Sequence, residues 1–309
     1  MTGDGALIRV QLLGPVRAWC GGLELCLGPP QQQLVLAVLA MQAGTTVCRD
    51  DLVDAVWERA SDSAVNSVHK YVHGLRRALD PGRAGRSAGP LASAAGGYEL
   101  RLAPGSVDAG AFAARREAAW RARAAGNLAG AAQYLASGLG LWRGSALSGL
   151  GGPWAQAQRR RLAEAHLAAV EERIEVQLAR GFHAEQAAEL AGLVSMHPLR
   201  EGLWYQLMLA RYRCGQRAQA LAAYQDARDT LIDQLGVEPG ARLRQLHRQI
   251  LNADPELDPP REAGRAMPAA GSALRPTRPP RYACRNRRRG SRVRPGAGNG
   301  ARCQGTPNS

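Results

Sequence analysis

One amphipathic segment constrains the fold of this chain more than any other feature. It is SAVNSVHKYVHGLRRALDP, residues 63–81. On a helix of about 3.6 residues per turn, its apolar residues form one stripe at spacings of three and four: Val65, Val68, Val72, Leu75 and Leu79. Ser63 can cap the first turn, and Pro81 prevents the helix from continuing because proline has no N–H to donate. The pattern predicts a helix with one buried side.

The remaining faces of this helix carry residue types that contact phosphates and base edges in DNA. They are Asn66, His69, Lys70, His73, Arg76 and Arg77. The solvated face of an ordinary surface helix has a similar composition, so the helix alone leaves both interpretations open. The segments on either side of it favour the DNA-facing interpretation.

Those flanking segments predict a sheet, two helices and a hairpin. Residues 7–28 alternate apolar and polar side chains around a Gly21-Gly22 turn, as antiparallel strands do. Pro29-Pro30 ends the strands and opens a buried helix over residues 31–43, and a second helix follows over residues 50–58. After the amphipathic helix, Leu91–Ala94 returns as Tyr98–Leu102. The order of sheet, three helices and hairpin is typical of a winged helix-turn-helix.

Charge is distributed unevenly along the chain. Residues 1–65 have four Arg against seven acidic residues, a net charge of −3, whereas residues 66–101 carry +4. A helix that approaches a polyanion is expected at the positive end of its module. Of the total charge of +14, residues 255–309 contribute twelve Arg against three acidic residues, or +9.

Residues 108–251 have helical periodicity throughout. The segment WYQLMLARYRCGQRAQALAAYQDA matches a tetratricopeptide pattern at Trp204, Leu207, Gly215, Ala220, Tyr224 and Ala227. Gly181 precedes Gly215 by 34 residues, which is one repeat length. Small residues at these places allow two helices to pack closely. We therefore expect a stack of helical hairpins that provides binding surface rather than a catalytic site.

Several motifs, in order, resemble one known family. LGPVRAW, PPQQQLVLAVLAMQAG, DDLVDAVW, NSVHKYVHGLRRALDP and GGYELRL are similar to the OmpR-type DNA-binding domain of the Streptomyces antibiotic regulatory proteins. LGVEPG and LRQLHRQIL match the end of the bacterial transcriptional activator domain of that family. The resemblance implies a mainly α chain with an α+β winged helix over 1–105 and an all-α tetratricopeptide-like domain over 106–254. Composition predicts a disordered basic tail over 255–309.

The resemblance also implies a function and a set of site residues. The third helix would enter the major groove, with Asn66, His69, Lys70, His73 and Arg77 toward the bases and with Arg76, Arg83 and Arg86 toward phosphates. The expected protein is a cytoplasmic, nucleoid-associated activator of antibiotic biosynthesis genes. Its expected partners are double-stranded DNA with direct repeats, RNA polymerase holoenzyme and a second copy of the chain. We expect residues 1–105 to fold alone.

Two departures from the family pattern favour a different class of function. Gly74 stands where the family usually has Arg, and the first wing strand carries Ser93, Ala94 and Ala95 where a basic residue is usual. A glycine inside a helix costs roughly 1 kcal/mol relative to Ala. The alternative is therefore a helical-repeat adaptor whose winged helix has a weakened or lost DNA-binding surface.

No motif of an enzyme, a metal site or a membrane protein stands out. A P-loop requires Gly-Lys-Ser/Thr, and the only lysine, Lys70, lies in His-Lys-Tyr. Neither GxSxG nor HExxH occurs, and the six cysteines have no metal-ligand spacing. No run of about 20 apolar residues is present, and the first residues lack the features of a signal peptide. We expect no catalysis, no cofactor, no metal and reduced thiols.

Overall fold

The computed structural model describes residues 7–57, 64–80 and 89–258. Two small sheets and three helices form the N-terminal part of the described chain, and seven helices follow. The structure confirms the predicted class, a winged helix-turn-helix followed by a helical domain. No helix in these ranges combines the length and apolarity needed to cross a membrane.

The first sheet contains three antiparallel strands in the order β1-β2-β3. They are β1 (Ile8–Gln11), β2 (Arg17–Cys20) and β3 (Leu23–Glu24). Trp19 of β2 pairs with Arg9 on one side and with Glu24 on the other, so β2 is the central strand. The turn from β2 to β3 occurs at Gly21-Gly22, as predicted, and both glycines have positive φ angles of 57° and 90°.

Three helices follow the first sheet. They are α1 (Pro30–Met41), α2 (Arg49–Val56) and α3 (Ala64–Leu79). Every residue from Leu34 to Ala40 is buried, which agrees with the nearly continuous apolar sequence of α1. The Cys48 thiol accepts from the Asp51 N–H at 3.3 Å and caps the start of α2.

The second sheet forms the wing and includes a strand that the sequence did not reveal. β4 (Thr46–Cys48) lies between α1 and α2 in the chain, and it pairs with β6 (Gly97–Leu100), which also pairs with β5 (Leu91–Ala94). A Cβ at Gly97 would collide with the Val47 carbonyl oxygen. The second glycine of the Gly96-Gly97 pair therefore permits the close approach of β4, while Gly96 forms the turn with a φ of 78°.

Seven helices form the second part of the chain. They are α4 (Asp108–Ala124), α5 (Leu128–Leu139), α6 (Pro153–Ala179), α7 (His183–Met196), α8 (Glu201–Arg213), α9 (Arg217–Leu235) and α10 (Ala241–Leu251). Gly181 and Gly215 separate successive helices, as the repeat pattern predicts, and Gly126 does the same between α4 and α5. Ala220, Ala227 and Leu207 are at most 1% exposed. The tetratricopeptide positions are therefore packing positions.

A network of hydrogen bonds joins the two parts across residue 105. The Asp108 carboxylate accepts from the N–H groups of Leu12, Leu13 and Ala109 at 2.8, 3.0 and 2.7 Å. Val10 donates to the Ser106 carbonyl at 2.8 Å. Burial raises the pKa of Asp108, and the backbone donors act in the opposite direction. A fragment of residues 1–105 would lack these contacts. Its independent folding, expected from the sequence, stays a prediction.

The longest helix continues the core from one part into the other. α6 has 27 residues. Leu162 and Val176 belong to a core shared with the winged helix, α4 and α5, whereas Ile174 and Leu178 belong to a second core with α7–α10. Both cores lie in one compact unit that ends at Pro260. The α6 helix thus connects the two cores along its length.

Packed structure extends past Pro255, the expected start of the tail. Pro255–Leu257 forms a single 3₁₀ turn, and Leu257 is buried in the second core. Arg213 donates to the Leu257 carbonyl at 2.9 Å. The helical packing therefore continues to residue 258, and the remainder of the expected tail lies outside the described residues.

We predict that Asp108→Ala lowers the free energy of unfolding by about 2–4 kcal/mol, because several buried N–H groups lose their acceptor. Asp108→Asn, which keeps one acceptor oxygen, should lose less. Urea unfolding of the full chain measures both, with the exposed Asp54→Ala as a control that changes by less than about 0.5 kcal/mol. Equal stabilities of Asp108→Ala and Asp54→Ala would show that this carboxylate does not hold the junction.

Candidate nucleic-acid interface

The α3 helix has one buried side and one exposed side. Val68, Val72, Leu75 and Leu79 are between 0% and 2% exposed and pack in the first core. Their burial follows from the apolar stripe at spacings of three and four, because these residues share one face of a helix. The opposite side of α3 must therefore face outward.

Five polar residues occupy that outward side, and all five are exposed. They are Asn66, His69, Lys70, His73 and Arg77. At about 100° per residue they lie within one face that is about 100° wide. None of the five is acidic, and Lys70 and Arg77 are positively charged. The face therefore offers hydrogen-bond donors, on side chains of different lengths, to an anionic partner.

One residue of the predicted apolar stripe lies outside the core. Val65 is 38% exposed, whereas its neighbour Ala64 is 2% exposed. The first turn of the helix thus buries Ala64 instead of Val65. The placement of Val65 in the stripe was wrong because its angular position lies at the edge of the buried side, next to Arg76.

Arg76 holds α3 against the wing. Its Nε donates to the Leu91 carbonyl at 2.9 Å, and its Nη2 donates to the Ser93 hydroxyl at 2.7 Å. The guanidinium also lies 5.8 Å from the centre of the Tyr98 ring. The sequence predicted a phosphate contact for Arg76, but in the structure its donors point to β5. Its adjacent residue Arg77 is exposed and has no hydrogen bond or ion pair within the described ranges.

Two aromatic contacts also join α3 to its neighbours. Tyr71 stacks on Trp57, with ring centres 6.2 Å apart and an interplanar angle of 14°. The His69 ring meets the Tyr98 ring edge-on at 6.4 Å. The His69 contact places the polar face of α3 beside the β5–β6 hairpin.

The described surface of the wing carries no unpaired basic residue. Ser93 is engaged by Arg76, and Ala94 is half-buried. Arg101 donates twice to the Glu99 carboxylate, at 2.9 and 2.6 Å. These bonds hold the pKa of Glu99 below its ordinary value and raise the pKa of Arg101. The near-neutral wing predicted from the sequence is thus present in the structure.

Gly74 has a packing role that the sequence did not indicate. It lies at the edge of the polar face, where a Cβ would come within 2.9 Å of the Cδ and Nε2 atoms of Gln32 in α1. The Gln32 amide donates to the Leu27 carbonyl at 2.9 Å. A larger residue at position 74 would therefore displace the Gln32 side chain and this bond.

Three residues that the sequence analysis singled out are not described by the structure. Arg83 and Arg86, predicted to contact phosphates, and Ser63, predicted to cap α3, lie outside the described residues. Cys26, Cys48 and Cys214 form no disulfide with one another. Within the described ranges, no group of three or more His, Cys, Asp or Glu side chains is arranged to hold a metal ion.

The fold and the exposed face of α3 define a winged-helix protein with an appended helical-repeat domain. Comparisons with known proteins agree. Residues 107–251 match the family described as "bacterial transcriptional activator domain", and residues 25–88 match "transcriptional regulatory protein, C terminal".

Known transcriptional regulators align with most of this chain. Regulatory protein AfsR of Streptomyces coelicolor is 44% identical over 256 residues, which are 82% of this chain and 25% of AfsR. Regulatory protein DnrI of Streptomyces peucetius is 36% identical over 271 residues, which are 86% of this chain and 98% of DnrI. A structure titled "Mycobacterium tuberculosis EmbR in complex with low affinity phosphopeptide" matches with a TM-score of 0.77 and 35% identity, over 81% of this chain and 66% of that one.

The chain belongs to the Streptomyces antibiotic regulatory protein family, whose members are transcriptional regulators. It spans only about a quarter of the AfsR proteins that it matches, but nearly all of DnrI.

Arg76 and Arg77 provide a matched test of this geometry. We predict that Arg76→Ala lowers the free energy of unfolding by about 1–2 kcal/mol, because its charged hydrogen bonds to β5 are lost. Arg77→Ala should change it by less than about 0.5 kcal/mol, because its side chain is exposed and unpaired. Thermal and urea unfolding of the full chain compare the two variants. Equal stabilities would contradict the assignment of Arg76 to the junction of α3 and the wing.

Proposed function

We propose that this protein is a transcriptional activator that binds double-stranded DNA with the exposed face of α3. The observation that supports this function is the complete separation of the two sides of α3. Its apolar side is at most 2% exposed from Val68 to Leu79, while Lys70, His73 and Arg77 are exposed and unpaired within the described ranges. An α-helix of this kind fits the major groove, where base edges differ for all four base pairs.

The remaining parts of the proposal follow from family membership. The proposed targets are direct repeats near promoters of secondary-metabolite genes, bound by a homodimer in the nucleoid. In this proposal the helical domain recruits RNA polymerase holoenzyme. The stack of helices that α4–α10 form supports a role in protein contacts.

We predict that Lys70→Ala and His73→Ala each weaken binding to the cognate repeat by about 1–3 kcal/mol, because each removes a base-edge contact. Binding to a scrambled duplex should change little. Fluorescence anisotropy on both duplexes measures the effect, and the melting temperature of each variant should stay that of the unaltered chain. Arg160→Ala, an exposed and unpaired arginine of α6, is the control.

If both variants bind the cognate duplex like the unaltered chain, α3 does not read the sequence. The second candidate function would then gain support. It is a helical-repeat adaptor with a weakened DNA-binding module, and the observation that favours it is the described wing, whose Arg101 is paired with Glu99. An adaptor would show no shifted band with any promoter fragment while still binding a protein partner.

The basic segment beyond the described residues should affect nonspecific binding only. Residues 259–309 contain twelve Arg and one acidic residue, Glu262. We predict that truncation after Asp258 preserves sequence preference and folding, because Leu257 and its contact with Arg213 remain. The logarithm of the nonspecific binding constant falls with the logarithm of the salt concentration. That slope should become shallower by about 0.9 for each lost phosphate contact. An unchanged slope or a loss of sequence preference would contradict this role.

A further inference from the structure

A cleft opens where the winged helix meets the helical domain. Its volume is about 530 Å³. One wall comes from the end of α1 and from the segment 102–105 that follows β6. The other wall comes from the first half of α4 and from Leu162 and Ala165 of α6. Both parts of the chain therefore contribute to it, and the volume lies within the range of about 300–1,000 Å³ that is usual for small-molecule sites.

The lining of this cleft is mostly apolar. Phe112 is 3% exposed, Leu162 is 6% exposed and Val107 is 8% exposed, and each contributes to the lining. Small residues along the lining, among them Ala113 and Gly110, leave room between the helices. A Cβ at Gly110 would meet no atom within 4 Å, so this side of α4 faces open space.

The charged residues of the cleft have one sign. Arg116 and Arg161 line it, and no acidic side chain does. Arg116 is already paired, because its Nη2 donates to Glu172 at 2.5 Å. Arg161 is exposed and makes no hydrogen bond or ion pair within the described part of the chain. An apolar interior with one uncompensated guanidinium at its edge suits a molecule with a hydrocarbon body and one anionic group.

We propose that this cleft binds a small apolar organic acid, with its hydrocarbon body against Phe112 and Leu162 and its anionic group on Arg161. A ligand in this position contacts α1 on one side and α4 and α6 on the other. Because it binds only the folded junction, it stabilises the protein by mass action. The proposal goes beyond DNA binding and assigns to this regulator a site for a small effector.

The full chain can be tested without DNA, using anilinonaphthalene sulfonate, an apolar anion that fluoresces in apolar surroundings. We expect saturable binding to one site and a higher melting temperature when the site is occupied. Dodecanoate should displace the probe, and dodecanol, which lacks the charge, should displace it at least tenfold less effectively. The proposal is overturned if neither anilinonaphthalene sulfonate nor dodecanoate binds. It is also overturned if dodecanoate and dodecanol displace the probe equally well.

Two pairs of variants locate the site. Gly110→Leu places a side chain in the open space of the cleft and should abolish probe binding, whereas Gly192→Leu, at an equally open helical position in α7, should not. Both replacements favour a helix, so each variant should keep at least the melting temperature of the unaltered chain, measured without the probe. Arg161→Ala should weaken binding about tenfold, and its neighbour Arg160→Ala should leave it unchanged.

Probe binding that survives Gly110→Leu would place the site elsewhere and overturn the proposal. Binding that is lost in Gly110→Leu but unchanged in Arg161→Ala would contradict the anionic class of the ligand. Because none of these measurements includes DNA, they fail or succeed independently of the proposed activator function.

Discussion

The burial of one side of α3 is the constraint on which the remaining structure depends. Val68 and Leu75 are 0% exposed, so the helix cannot rotate without exposing them to water. Burial of each such side chain contributes about 1.5–3 kcal/mol, which fixes the polar side outward. Arg76 then joins the same helix to β5, so the orientation of α3 also sets the position of the wing.

The same core continues into the helical domain instead of ending at a linker. The Asp108 carboxylate completes the hydrogen bonds of Leu12 and Leu13, and α6 contributes side chains to both cores. The polar face of α3 is consequently held in a defined position relative to α4–α6. A ligand in the cleft beside Phe112 would act on this junction, where the two parts of the chain share their packing.

Local periodicity was sufficient to predict the helices, the hairpin and the exposed face of α3, since each depends on residues close in sequence. Contacts between distant residues could not be predicted in this way. The short strand β4 is recognisable only through its pairing with β6, and Gly74 only through its approach to Gln32. The sequence assigned both Arg76 and Arg77 to DNA, yet Arg76 donates to the Ser93 hydroxyl of the wing.

Methylation interference on the cognate repeat tests most directly whether α3 lies in the major groove. Dimethyl sulfate methylates guanine N7 in the major groove and adenine N3 in the minor groove, so one experiment distinguishes the two. We predict interference from guanine N7 within each repeat, and loss of that interference at the affected base pair in the His73→Ala variant. Interference from adenine N3 alone, with none from guanine N7, would contradict it.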